Sequence, residues 1–283
     1  MTAEFEEQSA ALEEQLVPAS DSLLVASAWT PQKQEIFGHF LRAYTSIAAA
    51  IQSKQGNGWV KRWFYGELTA GSGLITNGDQ LIHGSPLIAL NTFANQTGFK
   101  VDCLFIEHNA NYAFELNRCT ASQYARFTPE QRSRLKYGLN CVDHRSVLAN
   151  YRSAINGCGP MGLLYWDGLG GDKYPTEDLR EWLQFHRRHD LLVMASGTAQ
   201  KRMGRIRLDE MLRNSPRPVW LTVPTGPWQW IFAFVTGWKE LPAKLSRQGF
   251  QLYRSDSLQG LRILDKLGTT CEERKERDQL TLL

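Results

Sequence analysis

Glu67-Leu68-Thr69-Ala70-Gly71-Ser72-Gly73 is the stretch from which the architecture of this chain can be read. It follows Trp63-Phe64-Tyr65-Gly66, a short aromatic run with strand character. An acid closes that run, and two glycines one residue apart come next. Glycine tolerates positive φ and lets the backbone approach a ligand closely, so Gly71 and Gly73 predict a tight loop at the carboxyl end of a strand.

The flanking sequence supplies the rest of an α/β pattern. Thr30-Pro31 starts a helix, with Thr30 as N-cap and Pro31 at the first helical position. Its residues Ile36, Phe37, Phe40, Leu41, Tyr44 and Ile47 repeat at helical spacing, and it should stop before Gly56-Asn57-Gly58. After the glycine loop, Asn77-Gly78-Asp79 reads as a turn. Gly84-Ser85-Pro86 opens a second helix, with Ser85 as its cap. Lys100–Ile106 is a strand ending at Glu107, and residues 110–126 form a helix. A third strand near 137–142 ends at Asp143, and a fourth, Met161–Trp166, ends at Asp167. A helix from Pro175 to about His186, strands at 190–195 and 218–223, and a hairpin from 249–253 and 260–264 complete the reading. Strands alternating with helices predict a Rossmann-like α/β fold, a doubly wound and mostly parallel sheet. The domain plan is an acidic leader (1–29), disordered or helical, one α/β domain (30–268) and a charged tail (269–283).

Glu67, Glu107, Asp143 and Asp167 each close a predicted strand. Ligands of open α/β sheets bind beyond the carboxyl ends of the strands, where the strand order reverses. One acid at such a place is ordinary; four in succession are hard to assign to solvation. Glu107 can accept two hydroxyl hydrogen bonds from a ribose. The pattern departs from a dinucleotide fingerprint, because the loop is not G-x-G-x-x-G and Glu107 lies 40 residues after Glu67. No G-x-x-x-x-G-K-[ST] loop occurs either, which speaks against an ATPase.

Bulk composition narrows the class. The 283 residues are 42% hydrophobic and 22% charged, values of an ordinary globular protein. No apolar run approaches the ~20 residues of a membrane helix, and the start is not a signal peptide, so a cytoplasmic location is expected. Five scattered cysteines without a C-x-x-C pair argue against a disulfide framework and a zinc site. Cys103 and Cys141 lie in apolar runs and read as core residues. None of the six histidines has metal-ligand spacing, and His186 and His189 read as surface residues.

The net charge of +3 is unevenly spread. The first 32 residues hold six acids and no Lys or Arg, leaving +9 from Lys33 onward. A basic body suits a polyanionic partner, although a solvated mixed surface is the plain alternative. Arg187, Arg188, Lys201, Arg202, Arg205 and Arg207, with Arg213 and Arg217, form the densest basic segment. Trp220, Trp228, Trp230, Phe232, Phe234 and Trp238 follow it. Cations beside aromatic rings can track phosphates and stack bases, so DNA or RNA is a candidate partner. The competing reading is a solvated helix followed by an aromatic core segment.

The loop E-L-T-A-G-S-G resembles the D-x-F-A-G-x-G version of motif I in class I S-adenosylmethionine-dependent methyltransferases. The early helix carrying Lys33, Gly84-Ser85-Pro86-Leu87, and Phe105-Ile106-Glu107 followed by a helix resemble the three-Cys-motif partner family. The resemblance spans roughly residues 30–265 as scattered short motifs. It implies S-adenosylmethionine as cofactor. Glu67, Thr69, Gly71 and Gly73 would lie around its methionine end, Glu107 on the ribose, Asp143 on the adenine amine and Asp167 facing the methyl group. The resemblance implies a methyltransferase acting on nucleic acid or a nucleotide-containing substrate, or alternatively a catalytically inactive partner protein of the same fold. Amino-methylating DNA enzymes carry Asp/Asn-Pro-Pro-Tyr/Phe at the fourth strand; here the sequence is Asp167-Gly168-Leu169-Gly170-Gly171. Cofactor binding is therefore better supported than methyl transfer.

Overall fold

The computed structural model describes residues 23–54, 62–96, 98–143, 161–167, 189–196, 208–225, 228 and 230–268. In chain order these form β1 (Leu24–Val25), α1 (Thr30–Lys54), β2 (Arg62–Glu67), β3 (Leu74–Asn77), β4 (Gln80–His83), α2 (Ser85–Ala94), β5 (Lys100–Ile106), α3 (Ala110–Ala125), α4 (Pro129–Arg134) and β6 (Leu135–Asn140). Then come β7 (Met161–Asp167), β8 (His189–Ser196), α5 (Leu208–Arg213), β9 (Val219–Thr222), β10 (Trp230–Val235), α6 (Leu241–Arg247), β11 (Tyr253–Arg254) and α7 (Leu258–Gly268).

Eight strands form one sheet in the order β11-β9-β10-β8-β7-β2-β5-β6. β6, β5, β2, β7 and β8 pair in parallel, while β10 runs antiparallel to both β8 and β9. The chain moves outward from β2 to β5 and β6, then returns to β7 on the other side of β2. This Rossmann-like, doubly wound sheet therefore reverses its order between β2 and β7, which fixes where a crevice opens.

Alternation along the strands divides the interior into two layers. Trp63, Tyr65, Phe105, Leu163, Tyr165, Met194, Phe232 and Phe234 pack beneath α1 and α2, against Phe37, Phe40, Tyr44, Leu90 and Phe93. Leu164, Trp166, Leu191, Val193, Ile231 and Val235 face Met211 and Leu212 of α5 and Ile263, Leu264 and Leu267 of α7. Strands covered on both sides read as unbroken apolar runs, as residues 191–195 and 230–235 do. Trp230, Phe232 and Phe234 are thus interior residues of β10 rather than a base-stacking platform.

Several expectations are corrected. Residues 258–268 form α7, not a hairpin strand, because Ile263, Leu264 and Leu267 recur at helical spacing and bury one face. Residues 249–253 contribute only the start of the two-residue β11. The stretch between the glycine loop and α2 holds a hairpin of β3 and β4 around Gly78, whose φ is +61°. The last residues assigned to the leader are ordered: Leu24–Val25 pair in parallel with Ile75–Thr76. Cys141 is exposed, since it lies just past the edge strand β6, whereas Cys103 is buried. His189 is buried, because β8 begins one residue before its apolar run. It pairs with Gly162, whose missing side chain leaves room for the imidazole. The expected helix over 175–186 lies outside the described residues. Among the described residues, no helix is long and apolar enough to cross a membrane.

Candidate functional site

The glycine loop is stitched to both neighbours of β2. Leu68 N donates to Tyr165 O of β7 at 3.0 Å, and Ala70 N donates to Ile106 O of β5 at 2.9 Å. The loop therefore straddles the reversal in strand order. Gly71 and Gly73 have φ of +66° and +80°, the left-handed region that only glycine adopts without strain. Gly71 N donates to Glu107 Oε2 at 2.8 Å, and Asn109 N donates to Glu107 Oε1 at 2.8 Å. The acid that closes β5 is thus clipped to the loop that follows β2. Each of its oxygens accepts one backbone hydrogen bond, and a carboxylate offers about four lone-pair sites.

Glu107 N donates to Asn140 O of β6 at 3.1 Å, so the ends of β5 and β6 are adjacent. Asp143 lies three residues beyond, exposed. On the other side, Thr69 Oγ1 donates to Asp167 O at 2.6 Å and accepts from Asp167 N at 3.2 Å. The Thr69 hydroxyl is committed to holding the loop against β7. The structure brings Glu67, Thr69, Gly71, Glu107 and Asp167 together at one end of the sheet. Of the basic segment, Arg187, Arg188, Lys201, Arg202, Arg205 and Arg207 lie outside the described residues. Arg217 turns inward, donating to His189 O at 2.6 Å.

Three features were not legible in the sequence. Lys33, in the first turn of α1, places Nζ 2.7 Å from Asp167 Oδ2, and both residues are buried. Ser85 makes no cap with its side chain, because its hydroxyl donates to Glu67 Oε1 while Tyr65 OH donates to Oε2 at 3.0 Å. Leu24 covers the loop: a Cβ added to Gly71 would lie 2.6 Å from Leu24 Cδ1, and Leu24 N donates to Ser72 Oγ at 3.2 Å. A lone Lys at the head of an amphipathic helix carries no sequence signal for its partner, and a two-residue strand carries none for its position. Among the described residues, no group of His, Cys, Asp or Glu has the arrangement of a metal site.

Burial pushes the Glu67 carboxyl up to about 8; the hydrogen bonds from Ser85 and Tyr65 oppose the shift, and the charge of Asp167 adds to it. Glu67 is therefore neutral at pH 7 beside the Lys33–Asp167 ion pair. A carboxyl raised in the folded state contributes stability that is complete below its unfolded value of 4.5 and is lost as pH rises through about 8. Glu67→Gln, which keeps a neutral acceptor, is expected to abolish that part of the decline. Urea denaturation of both proteins from pH 5 to 9 checks it, with a difference on the order of a few kcal/mol at the alkaline end. Asp190, raised to about 6 by burial, titrates in both proteins and cancels in the comparison.

No family model and no curated relative matches the sequence. Among solved structures, a protein from Legionella pneumophila is similar with a TM-score of 0.46 at 12% identity, over 74% of this chain and 89% of that one. A Glu-to-Gln mutant of MtNAS in complex with S-adenosylmethionine gives 0.36 at 12%, over 81% and 71%. Trm1 from Pyrococcus horikoshii with S-adenosyl-L-methionine gives 0.38 at 12%, over 77% and 63%. The sheet described above defines the class of protein as a Rossmann-like, doubly wound α/β fold.

Proposed function

We propose that this chain binds S-adenosylmethionine and acts as a methyltransferase on nucleic acid or a nucleotide-containing substrate. The observation that carries the reading is the clip between Gly71 and Glu107 at the reversal in strand order. The residues fit the cofactor. Glu107 retains lone pairs for ribose hydroxyls, and Asp143 stands at the next strand end for an adenine amine. The loop with Gly71 and Gly73 would hold the methionine end, with the neutral Glu67 and Thr69 fixing it from below. Asp167 Oδ1 is buried without a hydrogen-bond partner, and in this reading it is the oxygen assigned to the methyl end of the ligand. S-adenosylmethionine supplies an electrophilic methyl group when bound. The chain's own contribution is to orient the ligand and to place a carboxylate beside its positive sulfur.

The nucleic-acid substrate rests on the basic segment of the sequence. A partner protein without catalysis is the second reading. It is favoured by Gly168-Leu169-Gly170-Gly171 after Asp167 and by the ion pair that engages Oδ2. The membership in the three-Cys-motif partner family belongs to this same proposal.

Isothermal titration with S-adenosylmethionine tests the first step. Wild-type protein should bind, and Glu107→Gln should bind about ten- to hundred-fold more weakly, since a hydrogen bond to a charged group is worth roughly 1.5–3 kcal/mol. No binding to the wild type rejects the proposal. Labelled-methyl transfer to mixed RNA, DNA and protein then separates an enzyme from a silent binder.

A further inference from the structure

Asp167 Oδ1, Gln34 Oε1 and Trp230 Nε1 are buried polar atoms without a hydrogen-bond partner. Such atoms are rare, because a donor or acceptor removed from water and left unpaired costs stability. These three lie on one side of the sheet, at its carboxyl end. The bond from Lys33 places the Asp167 side chain beneath the first turn of α1. Gln34 is the next residue of that turn, and Phe37, one turn on, stacks on Tyr165 with ring centroids 4.5 Å apart. Trp230 begins β10 opposite Ser196, two residues beyond Met194, the partner of Asp167. Its ring meets Phe232 at 5.4 Å, and Phe232 meets Tyr165 at 6.4 Å.

The two carboxylate oxygens of Asp167 are unequal. Oδ2 accepts from Lys33 Nζ at 2.7 Å and from Tyr165 OH at 3.3 Å, while Oδ1 accepts nothing. The satisfied oxygen fixes the side chain, and the bare one is left for something else. Two bare acceptors and one bare donor specify a ligand by its hydrogens. An anion would meet the carboxylate unfavourably. A simple ammonium would leave the Trp230 N–H unmatched.

We propose that this region is a subsite for a carboxamide or amidine edge. The ligand's N–H groups donate to Asp167 Oδ1 and Gln34 Oε1, and its neighbouring carbonyl oxygen or ring nitrogen accepts from Trp230 Nε1. Taken as the place of a methyl acceptor, the subsite rests on the function proposed above; as a binding site it stands on these three atoms alone. It lies over β7, β8 and β10, on the opposite side of the reversal from Glu107 and Asp143.

The test uses the full chain with four probes: benzamide, N,N-dimethylbenzamide, 1-methylcytosine and its N4,N4-dimethyl derivative. Ligand-observed NMR titration measures each affinity. At least one N–H-bearing probe should bind at least about ten-fold more tightly than its dimethyl form, since dimethylation removes both N–H groups that donate to the two buried acceptors. Whichever of the two is preferred tells a carboxamide from a base edge. Gln34→Leu should weaken that probe about ten-fold while leaving the thermal midpoint unchanged or higher, because it removes an unpaired polar atom at similar volume. A purely structural Gln34 would show the reverse. Asp167→Asn supplies a second variant. The subsite is overturned if neither parent probe binds, if parent and dimethyl forms bind alike, or if Gln34→Leu binds as wild type does. S-adenosylmethionine titrated into the same samples keeps the two ideas apart. Probe binding without cofactor binding sinks the methyltransferase reading alone, and the converse sinks the subsite alone.

Discussion

Lys33→Met should lower the stability of the chain by about 3–5 kcal/mol, the range for stripping one partner from a buried ion pair. Lys33 and Asp167 are both buried, and their charged atoms are 2.7 Å apart. Methionine fills much of the space of the lysine stem but leaves the carboxylate with only the Tyr165 hydroxyl as a side-chain donor. The charge would then sit in a low-dielectric region beside the already neutral Glu67. A second substitution, Asp167→Leu, should recover most of the loss, since well-packed apolar residues often replace a buried pair without net cost. Urea denaturation of the two single variants and the double variant gives the coupling directly. A loss below about 1 kcal/mol for Lys33→Met would mean that water reaches the pair, as at surface sites.

Gly71→Val should cost about 2–6 kcal/mol and abolish S-adenosylmethionine binding. Two causes add. The residue has φ of +66°, a region costing of order 1–3 kcal/mol for a β-branched side chain. The new Cβ would also lie 2.6 Å from Leu24 Cδ1, and overpacking of this kind costs about 1–3 kcal/mol. Relief by shifting the loop would pull Gly71 N away from Glu107. Gly78 separates the causes, for it has φ of +61° and nothing within 4 Å of an added Cβ. Gly78→Val should show the strain without the crowding. Equal losses at the two positions would show that Leu24 yields freely and that the loop is not constrained from above.

The sheet was legible because its strands are continuous apolar or aromatic runs separated by helical periods. Even the acids that close β2, β5 and β7 could be placed from sequence. The antiparallel insertion of β10 was not legible, because Trp230–Val235 is buried on both faces and carries no alternation from which to read direction. The same burial explains why its aromatic residues looked like a binding surface. Residues 260–264 of α7 were misread as a hairpin strand; Gly260 lets the helix pack tightly on the backbone of Arg254. At the site, the glycine loop and Glu107 emerged from local pattern. The partners of Asp167 and Glu67 did not, since Lys33 and Ser85 reach them across 134 and 18 residues of chain. Such pairings follow from how α1 and α2 lie on the sheet.

Helix α1 is pinned at two heights. Lys33 engages Asp167, and Tyr44 OH donates to Asp190 Oδ2 at 2.9 Å. Eleven helical residues separate the two anchors, about 16 Å along the axis. Asp190 stands beside Leu163, four residues before Asp167, so the acids are about 13 Å apart along the strands. The greasy stripe between the anchors would accept a slide of one turn, roughly 5.4 Å, with little loss. The two polar fastenings would not, because both carboxylates would be stranded together. Helix α1 therefore behaves as a ruler with a notch at each end, and its first turn is held in axial alignment with the strand tips.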